Sequence, residues 1–552
     1  MQNPWNFLKQ EIAKSLEIDT KNIEEPKEFG DFAFPCFNLA RKQRKKPEEI
    51  AKDMESRIKI KGFEIKAVGP YLNFSIDWKV FGNNILKDVS EKYGGNFVKK
   101  GSALIEHTSI NPNASPHVGR ARNAIIGDSL VRMLKFAGYK VEVHYYVNDV
   151  GKQIALLVFG CRENDKKMKF EDLLKIYIEA NKKMEENKDV EKEVFNLLSN
   201  FERGDKKTMK NFKDVVSLCV NGQVKILSEL NIEYDFFDYE SQYLINRKTE
   251  QILKMLEKTG KLFTDEDGRK VLDLKGHGLP DDAPPLVLTR SDGTSLYALR
   301  DIAYNIDKIS KTKGVNIVVL GEDQKLYAQQ VFTALKILGY EPPKVVHYSF
   351  VLLSTGKMST RKGNLVLLSD FIKEAYEKAL DEISKRYPKL SRKEKETRAK
   401  SIALASVRYS IVKVSPESNV IFSLEDALRF EGDTGPYLQY TYVRAKSILE
   451  KSKLKSIKYD SNNLVEKKEQ EILKLISQFP DIVEKSAKDY RPHYLANYLH
   501  NLAETFNQFY QSIQVLHAEN KFRDARLKLV ESVKIILKTG LSMLGIPVVE
   551  KM

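Results

Sequence analysis

Two prolines set between a compact apolar run and a helix are the feature that most constrains how this chain can fold. Residues 103–108, Ala-Leu-Ile-Glu-His-Thr, are mostly apolar and bounded by a turn signal, which marks a buried strand. Asn111-Pro112 and Ser115-Pro116 interrupt regular structure. From Arg120 onward, Ile126, Leu130, Met133, Leu134 and Ala137 fall on one helix face, and Gly138 is placed to end that helix. Residues 140–147 read as a second strand. Strand, helix and strand together close a right-handed crossover in a parallel sheet. The helix then begins with unpaired N–H groups and a partial positive charge, which suits phosphate. His117 is placed to donate to a phosphate oxygen, and Gly119 leaves room for a flat ring or a backbone to come close. Taken alone, a His-x-Gly after a strand is better explained as an ordinary helix start. The rest of the chain decides between the two readings.

At 552 residues the chain is too long for one ordinary domain, and its 42% hydrophobic content supports several cores. A formal net charge of +15 and a pI near 9.2 favour an acidic partner, nucleic acid first. Cys36, Cys161 and Cys219 are odd in number and lack metal-ligand spacing, so they read as reduced thiols of a cytoplasmic protein. Asn3 and Pro4 start a capped helix where a leader would show a basic start and an apolar run. No stretch approaches the ~20 apolar residues of a membrane span, so no membrane partner is expected.

Residues 1–98 read as a small α+β domain, with a capped helix, a short strand within 28–35, a charged helix from Pro47 to about Ile58 and an alternating strand over 67–75. Tyr71 and Asn73 project to one side of that last strand. A ring and an amide on one exposed face suit an unpaired RNA base, although an ordinary edge strand has the same pattern. Residues 152 to about 260 are dense in Lys and Glu with helical periodicity, an inserted helical segment. A hairpin at 264–274 and a loop from Asp281 carry the insertion to about residue 285. The α/β pattern returns over 286–370, with strands at 286–289, 317–320 and 345–353 and helices following Leu296 and Gln324. Residues 354–364 are small, polar and basic, a composition suited to a mobile surface loop that clamps an anion. From Leu368 the pattern is helical, a connecting segment over 371–430 and then a bundle over 431–552.

His117-Val118-Gly119-Arg120 resembles the first signature of the class I aminoacyl-tRNA synthetases, and Lys357-Met358-Ser359-Thr360-Arg361 resembles the second. They occur in the family's order on two halves of one α/β domain. Residues 123–128, 145–149, 291–297, 433–440 and the Arg523-Asp-Ala-Arg-Leu527 run are similar to the arginyl members of that class. The resemblance covers essentially the whole chain. It implies a Rossmann-like parallel-sheet catalytic domain at 99–370 with the helical insertion, a tRNA-contacting α+β domain at 1–98 and an α-helical anticodon-binding bundle at 431–552.

The resemblance also implies the reaction. L-Arginine is activated by ATP, with Mg2+ accompanying the nucleotide and no dedicated protein metal site. The arginyl group then passes to the 3′-terminal ribose of tRNA(Arg). ATP would be held by His117, Gly119, Arg120, Lys357, Met358 and Ser359, with His117, Arg120, Lys357, Arg361 and Lys362 neutralising phosphate charge. Glu106, Tyr297 and Asp301 match the family's residues for the arginine side chain, and Asn111 and Gln324 those for its amino and carboxylate ends. Glu106 in an apolar strand is costly unless paired, which favours a functional role on physical grounds alone. Tyr297 and Asp301, one helical turn apart, share a face and could equally be a capping pair. Tyr71 and Asn73 match positions that read a D-loop base, and Tyr437, Gln439 and Tyr440 are expected to contact tRNA. A cytoplasmic monomer that needs bound tRNA to activate arginine is what the family implies. Two departures stand out. Arg120 replaces a second histidine and, being longer and permanently charged, cannot act as a neutral imidazole. Arg361 or Lys362 must also replace the loop's usual second lysine.

Overall fold

The computed structural model describes residues 3–551, apart from 27, 114, 164–167, 281, 354–355, 358–366 and 455. At the amino end, the Asn3 side chain caps the helix Pro4–Ser15 by accepting from the Asn6 N–H at 3.1 Å. An antiparallel sheet follows, built from β1 (Phe32–Pro35), β2 (Phe63–Val68) and β3 (Tyr71–Ile76). Its order is β1-β3-β2, so β3 is the central strand, which sets aside the edge-strand reading. With neighbours on both sides, Asn73 is 6% exposed and its amide turns back to the carbonyls of Tyr71 and Lys66. The expected exposed pair is thus reduced to Tyr71, which stays partly open and packs edge-on against Phe37.

Five parallel strands form the central sheet. These are β4 (Gly101–Glu106), β5 (Tyr139–Val147), β6 (Phe236–Tyr239), β7 (Val315–Gly321) and β8 (Lys344–Tyr348), in the order β8-β7-β4-β5-β6. Helix α1 (Val118–Ala137) makes the crossover from β4 to β5. Gly138 ends it in the left-handed region at φ 106, its N–H on the carbonyls of Leu134 and Lys135. One side of α1 covers the sheet and the other meets the carboxyl-terminal helices, which is why almost every residue of its second to fourth turns is buried.

Three expectations change. The insertion is helical over Lys152–Arg162, Leu173–Glu186, Lys188–Glu202 and Lys206–Glu229, but the chain then re-enters the main sheet as β6 beside β5. Four residues, Phe-Phe-Asp-Tyr, are too few for a period to be read, so the return falls near residue 236 rather than 285. Leu286–Val287 pairs antiparallel with Lys270–Leu272 of the hairpin and stays out of the parallel sheet. Residues 345–353 divide into β8 and the strand Val351–Leu353, which runs parallel to Val420–Phe422. Arg122, 0% exposed, marks the break: its guanidinium donates to the carbonyls of Ser349, Phe350 and Ser415 at 2.7–3.2 Å.

Helices α2 (Tyr297–Lys311) and α3 (Lys325–Ile337) flank the sheet. A connecting helix, α4 (Arg392–Val412), leads to α5 (Gly435–Ser452), α6 (Lys467–Lys488), α7 (Pro492–Ser512) and α8 (Asn520–Met543). Thr434 caps α5 through the Tyr437 N–H. Gly435 lets the start of α5 lie on α4, where any Cβ would collide with the Ala405 carbonyl. One buried guanidinium fastens the parts together. Arg408 on α4 bonds Asp128 of α1 at 2.5 Å, the Leu230 carbonyl at the end of the insertion helices and the Leu544 carbonyl beyond α8. Burial works against the Asp128 charge, but Arg408 and Arg132 outweigh it and hold its carboxyl below the usual carboxylate range. Cys36, Cys161 and Cys219 are buried free thiols, and no described helix is long and apolar enough to cross a membrane.

Candidate active site

The strand order reverses between β4 and β7, because the chain leaves β4 on one side for β5 and returns on the other. Ligands in open parallel sheets bind in the crevice at such a switch point, beyond the carboxyl ends of the strands. A cavity of about 170 Å³ opens there. Its walls include Glu106 at the end of β4, Asn148 past β5, Asp301 and Lys308 on α2, Gln324 past β7 and Tyr327 on α3. Asn111 and Arg120 close it on the α1 side. Glu106, Asn111, Arg120, Asp301 and Gln324, singled out from separate stretches of sequence, therefore surround one space. Tyr297 does not line it. That ring is 55% exposed and leans on Tyr327 from outside, with ring centres 5.0 Å apart.

The carboxylates are individually held. Glu106 is salt-bridged to Lys308, whose ammonium also lies 4.3 Å from the centre of the Tyr304 ring. Asp301 accepts from the Tyr327 hydroxyl at 2.5 Å. Burial, and then the Glu240 charge, push its carboxyl up to about 7, and the Tyr327 hydrogen bond only partly opposes them. Lys308, Tyr327 and Asn148 were not identified from sequence. Lys308 carried a signal, since it follows Asp301 by two helical turns and so shares its face. Asn148 lies in the 145–149 run that resembles the family, and Tyr327 is placed by tertiary packing alone.

Between β4 and α1 the backbone is strained. Thr108 has φ 80 and Ser109 φ 42, a conformation that costs a β-branched residue about 1–3 kcal/mol. A buried network holds it. The Thr108 N–H donates to the Asn123 side chain at 2.6 Å, and the Thr108 hydroxyl meets that of Tyr234 at 2.6 Å. The Tyr145 oxygen accepts from the Ile110 N–H and its hydroxyl donates to Gln223, whose amide donates in turn to the Asn111 carbonyl. Gln223 belongs to the last insertion helix, so the insertion helps to set the loop that presents Asn111.

His117 stands at the amino cap of α1 and Gly119 in its first turn. Burial, and then the Arg120 charge, hold the His117 imidazole down at about 4, so it is neutral near pH 7, and its Nδ1 has no hydrogen-bond partner among the described residues. The two signature side chains diverge: Arg120 faces the cavity and His117 does not line it. The backbone of Lys357 lies in a short strand, Gly356–Lys357, paired with Val351–Leu353. Met358, Ser359, Arg361 and Lys362 lie outside the described residues.

In the bundle, the Tyr437 hydroxyl accepts from Asn507 at 2.9 Å, and Tyr440 lies under the Arg444 guanidinium. Both are partly exposed. Gln439 is 0% exposed, and its amide is taken by Ser401 and the Pro547 carbonyl. It fastens α5 to α4 and to the segment after α8, so the side chain expected to contact tRNA is turned inward here.

Comparison with known proteins agrees with this geometry. Three family models match in succession: "Arginyl tRNA synthetase N terminal domain" over residues 6–76, "tRNA synthetases class I (R), catalytic domain" over 83–424 and "DALR anticodon binding domain" over 438–552. Arginine–tRNA ligase of Methanocaldococcus jannaschii is 39% identical over 567 residues, covering 99% of this chain and 98% of the relative. The Methanococcus maripaludis C6 arginine–tRNA ligase is 40% identical, with 99% and 98% covered. Thermus thermophilus arginyl-tRNA synthetase has a similar structure, with a TM-score of 0.85 at 28% identity over 99% of this chain and 100% of its own. With matched domains in sequence along its whole length and full-length relatives at this identity, the chain belongs to the arginyl-tRNA synthetases of class I.

Proposed function

We propose that the switch-point cavity takes L-arginine, with the guanidinium against Glu106 and Asp301 and the amino-acid end toward Asn111 and Gln324. The observation that carries this reading is the pair of acidic side chains facing one small cavity beside the amino end of α1. A guanidinium is a planar fork of donors and asks for carboxylate oxygens around it. The arginine carboxylate attacks the α-phosphorus of ATP, the bond to the bridging oxygen breaks, and pyrophosphate leaves. A terminal ribose hydroxyl of tRNA(Arg) then attacks the activated carbonyl and AMP departs. Positioning and charge stabilisation do the work, and no nucleophilic side chain is needed. His117, neutral and with Nδ1 unengaged, donates to phosphate, and Lys357, Arg361 and Lys362 take up charge on the leaving pyrophosphate. Mg2+ arrives with ATP; no group of three or more His, Cys, Asp or Glu among the described residues is placed to hold it. The partly exposed Tyr71, Tyr437 and Tyr440 and the basic surface serve tRNA, and the chain works as a monomer in the cytoplasm.

The test is arginine-dependent ATP–pyrophosphate exchange, with and without an arginine-accepting tRNA transcript. Exchange confined to reactions that contain tRNA is expected, and no exchange in either would remove the reading. His117→Gln should lower the exchange rate constant by about 10²–10³, as loss of a donor that acts in the transition state does, while the KM for arginine moves little. A KM effect without a rate effect would reassign His117 to ground-state binding.

The Asp301 carboxyl near 7 gives a pH dependence with a defined sign. Guanidinium binding favours the ionised carboxylate, so below pH 7 arginine must displace a proton and above it none. The KM for arginine should fall as pH rises from 6 to 8, by at most about tenfold per unit, and then level off. A KM that rises over that interval would contradict the assignment.

A further inference from the structure

We propose that Lys308 is a specificity-determining residue, a fixed internal cation that leaves the Glu106–Asp301 pair a single uncompensated negative charge. This rests on the arginine reading above. Lys308 pairs with Glu106 Oε2, while Oε1 has only a long contact of 3.4 Å with the Ser109 hydroxyl. Tyr327 occupies Asp301 Oδ2, and the buried Tyr146 hydroxyl also lies beside this carboxyl. Each carboxylate is thus anchored by a buried partner, Glu106 by Lys308 and Asp301 by Tyr327. A guanidinium spans the two as a fork, with one edge to Glu106 and the other to Asp301.

Lys308 cannot leave its post easily. Its side chain is 3% exposed, and its ammonium sits on the Tyr304 ring. That ring is stacked on Tyr146 at 4.2 Å and 10°, and the Tyr304 hydroxyl reaches Asp238 at 3.3 Å. Counted over Glu106, Asp301 and Lys308 alone, two carboxylates against one buried ammonium give a charge of −1, which one guanidinium completes. A neutral isostere such as citrulline leaves that charge uncompensated and is rejected on electrostatic grounds. The groups that face this arrangement are Glu106 from β4, Tyr146 from β5, Glu240 after β6, Tyr327 from α3, Arg120 from α1, and Tyr304 and Arg300 on α2 itself.

Removing the ammonium changes how many protons arginine must displace. In Lys308→Met, Glu106 becomes a buried carboxylate without its counter-ion, and such a group takes up a proton. Wild type has one carboxylate to ionise on binding, and the variant has two. The plot of log KM for arginine against pH, measured by exchange in the presence of tRNA, should therefore steepen from a slope of about one to about two below pH 7. Relative to wild type, the variant should lose roughly a further tenfold at pH 6 over its loss at pH 7, with the KM for ATP unmoved. Lys308→Arg, which restores a cation, should return the slope to one. A Met variant whose arginine KM parallels wild type at every pH, or whose ATP KM moves with it, overturns the proposal. Calorimetry on wild type with tRNA gives a measurement that needs no variant. Arginine binding at pH 6 should release one proton, and release of two would overturn the proposal. Absence of any arginine-dependent exchange by wild type would be failure of the functional reading, a separate and distinguishable result.

Discussion

Glu106→Gln should lower kcat/KM for arginine by about 10²-fold and weaken the fold at the same time. The substitution keeps the shape of the side chain and removes its charge, so two partners lose it together. Inside the protein, the Lys308 ammonium is left buried with no carboxylate. Breaking one side of a buried pair costs about 3–5 kcal/mol, because the surviving charge stays out of water. In the cavity, the ligand loses a charge-assisted hydrogen bond worth roughly 1.5–3 kcal/mol. The amide also offers an N–H where the guanidinium already brings donors. Steady-state exchange at saturating ATP and tRNA reads the first effect, and the urea midpoint reads the second. An arginine kcat/KM within tenfold of wild type would place the guanidinium elsewhere.

The second large effect is expected far from the cavity. Arg408→Leu removes a guanidinium that serves three partners on three segments: Asp128 on α1, Leu230 after the insertion helices and Leu544 after α8. Leucine fills much of the volume but donates nothing. Two carbonyls lose their donor, and Asp128 keeps only Arg132. At about 1–3 kcal/mol for each buried polar group left unmatched, a total near 3–5 kcal/mol follows once relaxation is allowed for. The loss should appear as a lower urea midpoint and as faster proteolysis between α4 and the helical bundle. Arg408→Lys keeps the charge but cannot reach three acceptors in one plane, so it should recover only a part. A midpoint unchanged by Arg408→Leu would mean that the apolar contacts around it hold the junction without it.

These two residues also show what the sequence discloses. Glu106 was legible because a lone carboxylate in an apolar strand already demands an explanation. Helix α1 and its end at Gly138 were legible because a 3.6-residue period and a left-handed stop are local properties. Arg408 was not legible, since it sits in a run of mixed polarity whose period gives no buried face, and its partners lie far away in the chain. The same holds for β6, where four residues are too few to show an alternation. Asn73 and Gln439 lie deeper than an outward-facing polar pattern suggests, because each spends its amide on main-chain carbonyls inside the protein. Around the cavity lie Glu106, Asn111, Asp301 and Gln324, while Tyr297 stands outside it and Tyr327, which packing supplies, takes a place on the wall.

The side chains that lash the segments together have a consequence for how this family records its history. Arg122, Arg408, Gln223, Gln439 and Asn123 all reach main-chain carbonyls, those of Ser349, Phe350, Ser415, Leu230, Leu544, Asn111, Pro547 and Val319 among them. A carbonyl oxygen is supplied by every amino acid alike. At such a bond the donor's side chain is needed, while the residue that receives can be exchanged without loss of the oxygen. Methods that infer proximity from pairs of positions changing in concert should therefore miss these main-chain bonds, although each closes a join between distant stretches of the polypeptide.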